Sequence, residues 1–185
     1  MRLFVALNLP DGVRGSLIEA TSPLRDARFP VKWVRPENVH VSLKFLGEVA
    51  DTREPEIVRA MTQAVQGARS IPLHIEGFGV FPDFRRPRVI WAGVDPEPAL
   101  ELLQHAVEQA FAPLGFPGDG RPFRPHLTLG RVSREAKPGD FRGLEAALGG
   151  IAFDRAAVVG EVDLMQSTPQ GGGSVYRVKQ RERLS

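Results

Sequence analysis

The chain has 185 residues, 42% of them apolar, no cysteine and a formal net charge of +2. That is enough apolar content for one packed domain, far from a disordered composition, and it excludes disulfides and thiolate metal sites. Among the 24 basic residues only Lys32, Lys44, Lys137 and Lys179 are lysines; an arginine excess suits bidentate phosphate contacts, although coding bias alone also produces one.

The first apolar run, Leu3 to Leu9, reads as a buried strand ended by Pro10-Asp11. Its unbroken part, Leu3 to Leu7, is too short for a signal-peptide core or a membrane span. With no cysteine to oxidise, a cytoplasmic location is expected. Val13, Leu17, Ala20 and Leu24 follow at helical spacing, and a proline-rich loop, Ser22–Pro36, leads to His40-Val41-Ser42-Leu43. On an extended strand residues i and i+2 share a face, so His40 and Ser42 project together while Val41 and Leu43 face a core. Lys44 continues the parity of His40 and Ser42 and joins them unless the strand twists away. A helix from about Thr52 to Gly67, marked by Ile57, Met61, Ala64 and Val65, precedes a strand at Leu73–Val80. His74, on the less apolar face of that strand with no hydroxyl two residues on, reads as a surface or structural residue.

The second half repeats this order. Val89 to Val94 is an apolar strand ended by Asp95-Pro96, and Leu100, Leu103, Val107 and Phe111 mark a helix with His105 on its solvated side. The loop Pro113–Pro125 delivers the chain into His126-Leu127-Thr128-Leu129, the same four-residue pattern as at His40. Arg131 has the parity of Leu127 and Leu129, so it reaches the histidine face only if a bulge intervenes. Phe141, Leu144 and Leu148 mark a short helix, and a strand follows at about Ala157–Met165. A final hairpin turns at Gly171–Gly173 and carries Tyr176 on its last strand.

A unit of strand, helix, histidine strand, helix and strand is thus written twice. The expected fold is α+β: a single domain, 1–185, built of two pseudo-symmetric halves, roughly 1–84 and 85–185. Each half is a lobe with a mostly antiparallel sheet, helices on its outer face, and a central cleft between the sheets. A pseudo-twofold would bring the two histidine motifs together across that cleft. Two imidazoles supply an acid and a base, and two hydroxyls supply donors, a set suited to phosphodiester chemistry without a metal. His-x-Ser and His-x-Thr are not zinc spacings, so no metal or other cofactor is expected. No apolar element is left over, which points to a monomer.

The resemblance these residues carry is to the two-histidine phosphoesterase superfamily, and within it to the RNA 2′,3′-cyclic phosphodiesterases, also called 2′-5′ RNA ligases. It runs through Arg2-Leu3-Phe4-Val5-Ala6-Leu7, Glu37 to Gly47 around His40, Phe81-Pro82, Arg86 to Trp91, Arg124 to Arg131 around His126, and the glycine-rich stretch before Val175-Tyr176. Ser42 stands where threonine is commoner, which keeps the hydroxyl and loses a methyl group. The resemblance implies hydrolysis of an RNA 2′,3′-cyclic phosphate end to a 2′-phosphate. In it His40 is the proton donor to the leaving 3′-oxygen and His126 the acceptor that activates water. Ser42 and Thr128 hold the phosphate, and the reverse reaction is 2′-5′ ligation. Lys44, Arg131 and Tyr176 are further candidates to bind substrate, with Phe84, Arg85 and Arg86 of the joining segment as a clamp for single-stranded RNA or an ordinary solvated loop. Two alternatives stay open: a small cyclic phosphate or 2′-5′ oligonucleotide as substrate, or a non-catalytic RNA-binding module.

Overall fold

The unbroken apolar run Leu3 to Leu7 makes the first strand, β1 (Arg2–Asn8), and both of its faces are buried. Leu3, Val5 and Leu7 enter the main core, while Phe4 and Ala6 form a separate small cluster with Met165 and Tyr176 on the opposite face. The computed structural model describes residues 1–185. After β1 the chain forms α1 (Asp11–Ala20), α2 (Ser22–Asp26), β2 (Val31–Trp33), β3 (His40–Glu48), α3 (Glu54–Val65) and β4 (Ile71–Phe81). Much of that order then recurs as β5 (Val89–Val94), α4 (Pro98–Phe111), β6 (His126–Val132), α5 (Leu144–Gly149) and β7 (Asp154–Val159). The chain ends in a hairpin of β8 (Glu161–Gln170) and β9 (Gly173–Arg183), closed by Gly171-Gly172. The helices bury their apolar stripes, among them Val13 and Leu17 of α1, Ile57 and Met61 of α3, and Leu100, Val107 and Phe111 of α4, in the one large core.

Two segments differ from the sequence expectation. The stretch Ser22–Pro36 is not all loop, since it holds α2 and the three-residue β2. Ser22-Pro23 opens α2, where a proline costs nothing because the first helical N–H groups lack partners anyway. Strand β2 takes its ladder from β6, a partner that local sequence cannot reveal. The expected strand at Ala157–Met165 is two strands broken at Gly160, β7 pairing with β4 and β8 with β1.

The expected pair of sheets is one continuous antiparallel sheet of nine strands, ordered β7-β4-β5-β6-β3-β1-β8-β9, with β2 added on β6. Nor are the halves of the sequence the halves of the sheet. β4, from the first half, lies beyond β5 and β6, and β8 and β9, from the second, lie beyond β1. β7 and β8 stand at distant places in this order yet are separated by Gly160 alone, so the sheet curves until its two ends adjoin. At its middle, β3 and β6 are joined by a single pair, Val41 with Leu127. Beyond that pair the strands diverge, and the cleft opens there.

Candidate active site

The Val41–Leu127 pair arranges the two motifs. In an antiparallel ladder, neighbours on either side of such a pair run in opposite directions. His40 therefore stands opposite Thr128, and Ser42 opposite His126, all four on the face away from Val41 and Leu127. Both buried partners, Val41 and Leu127, are in the core. The imidazole and hydroxyl of each motif thus face the hydroxyl and imidazole of the other. The strands are neighbours in one sheet rather than walls facing each other across a groove.

The two imidazoles are oriented alike. His40 Nδ1 lies 2.6 Å from the carbonyl oxygen of Asn38, and His126 Nδ1 lies 2.8 Å from that of Arg124. A carbonyl only accepts, so Nδ1 carries the hydrogen in both and Nε2 is left to exchange protons. His40 Nε2 is 3.0 Å from Ser42 Oγ; with neutral His40, the serine hydroxyl donates to it. Phe4 and Tyr176 rest on His40 with ring centroids at 5.0 and 5.5 Å. Phe81 meets His126 edge-on at 5.2 Å. Burial pushes the His40 pKa down to about 4, and the charges of His126 and Arg131 add to that while the Asn38 carbonyl opposes it. His40 is therefore neutral near pH 7.

Each histidine strand contains a bulge just beyond its motif. Ala6 pairs with Ser42 but Val5 with Lys44, leaving Leu43 without a partner on β1. Trp91 pairs with Thr128 but Ile90 with Gly130, leaving Leu129 without one on β5. The extra residue flips the alternation beyond it. This corrects the place expected for Lys44: it turns to the side of Val5, is buried, and gives its ammonium to Glu108 of α4 at 2.5 Å and to the Pro117 carbonyl at 3.3 Å. Phe45 takes the cleft side instead, 65% exposed and 5.8 Å from the Phe4 ring. In β6 the bulge has the opposite consequence. It turns Gly130 inward against Val31 and Trp33, where a Cβ would have no room, and sends Arg131 to the histidine face.

Beside the four residues lies a cavity of about 810 Å³, whose lining includes Ser42, Lys44, Phe45, Phe81, Glu108 and His126, so Lys44 leaves the histidine face but still borders this cavity. Of the joining segment, Phe84 packs against the core rather than facing the cleft. Arg85 and Arg86 are exposed, their backbone N–H groups held by Asp83 Oδ1 at 2.9 and 3.0 Å. Tyr176 is at the site through its contact with His40. Phe81, at the start of the joining segment whose aromatics suit stacking on bases, does line the cleft; Phe45 has no signal in the sequence without the bulge. Reading of the sequence also missed buried Asp163, which accepts from Asn8, the register partner of His40, at 2.7 Å and from Arg181 at 2.7 and 3.0 Å. His74 is a clamp between strands, 2.5 Å from both Asp95 and Asp154, and His105 is exposed on α4.

This geometry meets several characterised proteins. The sequence profile of the 2′-5′ RNA ligase superfamily matches residues 13–169. An RNA 2′,3′-cyclic phosphodiesterase of Methanothermobacter thermautotrophicus is 32% identical over 176 residues, which cover 95% of each chain. One from Archaeoglobus fulgidus is 37% identical over 135 residues, covering 73% of this chain and 74% of the relative. Among solved structures, TT0787 of Thermus thermophilus superposes with a TM-score of 0.83 at 28% identity, covering 100% of this chain and 98% of that one. LigT of E. coli complexed with 3′-AMP superposes with a TM-score of 0.78 at 26% identity, again covering 100% and 98%.

Proposed function

The chain belongs to the 2′-5′ RNA ligase superfamily, and on that premise we propose that it is a metal-independent phosphodiesterase that hydrolyses RNA 2′,3′-cyclic phosphate ends to 2′-phosphates. The observation that carries this reading is the square of His40, Ser42, His126 and Thr128 on one face of the sheet, set by the Val41–Leu127 pair. Water attacks phosphorus in line with the departing 3′-oxygen, so acid and base must stand on opposite sides of it. His126 Nε2 takes the proton of the water as its oxygen bonds to phosphorus. The bond from phosphorus to the 3′-oxygen breaks, and His40 Nε2–H protonates that oxygen, leaving a 3′-hydroxyl and a 2′-phosphate. Ser42, Thr128 and Arg131 donate to the non-bridging oxygens where charge builds. In reverse, an RNA 5′-hydroxyl in place of water gives a 2′-5′ linkage.

His40 must be charged to act as the acid, and burial in the free site opposes this. The substrate resolves the conflict, because a phosphate anion beside an imidazole favours the charged form. It also draws the Ser42 hydroxyl from His40 to its own oxygen. The terminal nucleoside occupies the neighbouring cavity, where Phe45 and Phe81 offer faces to the base. Arg85 and Arg86 meet the upstream phosphates. No helix is long and apolar enough to cross a membrane; the protein is proposed to act as a monomer in the cytoplasm, and a solution mass of two chains would contradict the first of these.

The test is incubation with EDTA and a short RNA ending in a 2′,3′-cyclic phosphate, followed by identification of the terminal phosphate. A 2′-phosphate is expected. A 3′-phosphate would reverse the leaving oxygen, and loss of activity in EDTA would overturn the metal-free mechanism. RNA bound without turnover would favour a binding module, and neither binding nor turnover a smaller cyclic phosphate.

A further inference from the structure

The duplicated site is not symmetric in how its histidines are held. Both imidazoles donate from Nδ1 to the carbonyl of the residue two positions earlier. For His126 that residue is Arg124, which is exposed. For His40 it is Asn38, which is 8% exposed and ends a short turn of 3-10 helix, Pro36–Asn38. The Asn38 side chain does not cap its own turn. Its Nδ2 donates at 2.9 Å to the carbonyl of Ser174, 136 positions away at the tip of the β8–β9 hairpin. Two residues further along β9, Tyr176 sets its ring edge-on against His40 and against Phe4. The hairpin therefore touches His40 directly through Tyr176 and holds, through Asn38, the carbonyl that fixes its tautomer.

We propose that Asn38 is a positioning residue, through which the β8–β9 hairpin locks His40 as the Nδ1–H form with Nε2 turned to the phosphate. The inference rests on the acid–base role given to His40 above. A histidine whose Nδ1 partner is loose can rotate its ring, which turns Nε2 away from the phosphate, or take the Nε2–H form, in which Nε2 no longer accepts a proton. The partner here is a backbone carbonyl preceding a strand, and that stretch of backbone is tied to the hairpin by the Asn38 amide. No such tie is needed for binding RNA, so the contact should matter to turnover rather than to affinity.

Asn38→Asp keeps the shape of the side chain and removes its donor; Asn38→Ala removes both. Each is expected to lower kcat by about tenfold or more, the scale of small misplacements in an active site, with KM within about twofold of wild type. The imidazole nitrogen chemical shifts of His40 at neutral pH are expected to show one tautomer, Nδ1–H, in the wild type and a mixture in both variants. Unchanged kcat in Asn38→Asp would overturn the proposal. So would a fall in kcat with the wild-type tautomer retained, which is what a purely structural role would give. The nitrogen shifts are read without turnover, so an inactive wild type would refute the proposed function while leaving this inference to be decided by the spectra.

Discussion

At His40 two opposing demands meet in one imidazole. Burial, with His126 and Arg131 beside it, pushes its pKa down to about 4, while proton donation requires the charged ring. Proton donation is lost as His40 gives up its proton with rising pH. Because kcat/KM reports the free enzyme and kcat the complex, the His40 titration is expected near pH 4 in kcat/KM and higher in kcat, since the bound phosphate raises the same group. A His40 titration in kcat/KM at the ordinary histidine value would show that His40 is not desolvated in solution. Phe45 gives a second prediction at this scale. Stacking of a base on an aromatic ring is worth about 1–3 kcal/mol, so Phe45→Ala should raise KM accordingly and leave kcat nearly unchanged. A kcat effect without a KM effect would remove Phe45 from substrate binding. Both histidines and both hydroxyls were legible in the sequence, because the motif is short and local. Phe45 was not, because counting alternate residues from His40 selects Lys44.

The bulges explain that failure, and they belong to the strands rather than to any one residue. An unpaired Leu43 and an unpaired Leu129 each reverse the parity that follows, so Lys44 is withdrawn and Arg131 is delivered. Neither leucine differs in type from an ordinary strand residue, so nothing in the sequence marks the flip. The consequence is a pair of substitutions with contrasting effects. Lys44→Ala leaves the Glu108 carboxylate without its partner in a largely buried setting, and removing one member of a buried pair costs about 3 kcal/mol. Stability should fall, with kcat of the folded protein retained and any loss confined to KM, since Lys44 borders the cavity but not the phosphate. Arg131→Ala should leave stability nearly intact and lower kcat/KM, with a shallower salt dependence as one phosphate contact is lost. Chemical denaturation and kinetics of the two variants decide the matter; loss of kcat on Lys44→Ala with full stability would put the lysine back on the histidine face. Helices α1, α3 and α4 and strands β1, β3, β5 and β6 could be read from apolar period alone. β2 and the break at Gly160 could not, since both are set by partners distant in sequence.

Across the whole molecule, the repeat in element order returns in the pairing with its outer strands exchanged: β3 pairs with β1 as β6 does with β5, and β8 of the second half pairs with β1 as β4 of the first does with β5. β1 of the first half needs β8 of the second, and β4 needs β5 and β7. A fragment 1–84 should therefore lack a cooperative unfolding transition; cooperative melting of that fragment would contradict the exchange of strands. His74 ties this arrangement together by joining β4 to Asp95 after β5 and to Asp154 on β7. The two carboxylates raise its pKa to about 9. Its stabilising effect is fully present below the ordinary value of 6.5 and is lost as pH rises through about 9. Melting temperature should fall over that window in the wild type and lose this component in His74→Ala; identical pH profiles would dismiss the clamp. All of this scaffolding serves to set one pair, Val41 with Leu127, at the centre of the sheet and so to bring two histidines to one phosphate. The most direct measurement is the rate of hydrolysis of an RNA 2′,3′-cyclic phosphate in EDTA by His40→Ala and by His126→Ala, each checked to be folded. General acid–base groups are worth about 10²–10⁴-fold, and each variant should lose that much; a near-wild-type rate in either would contradict a mechanism in which both histidines move the protons.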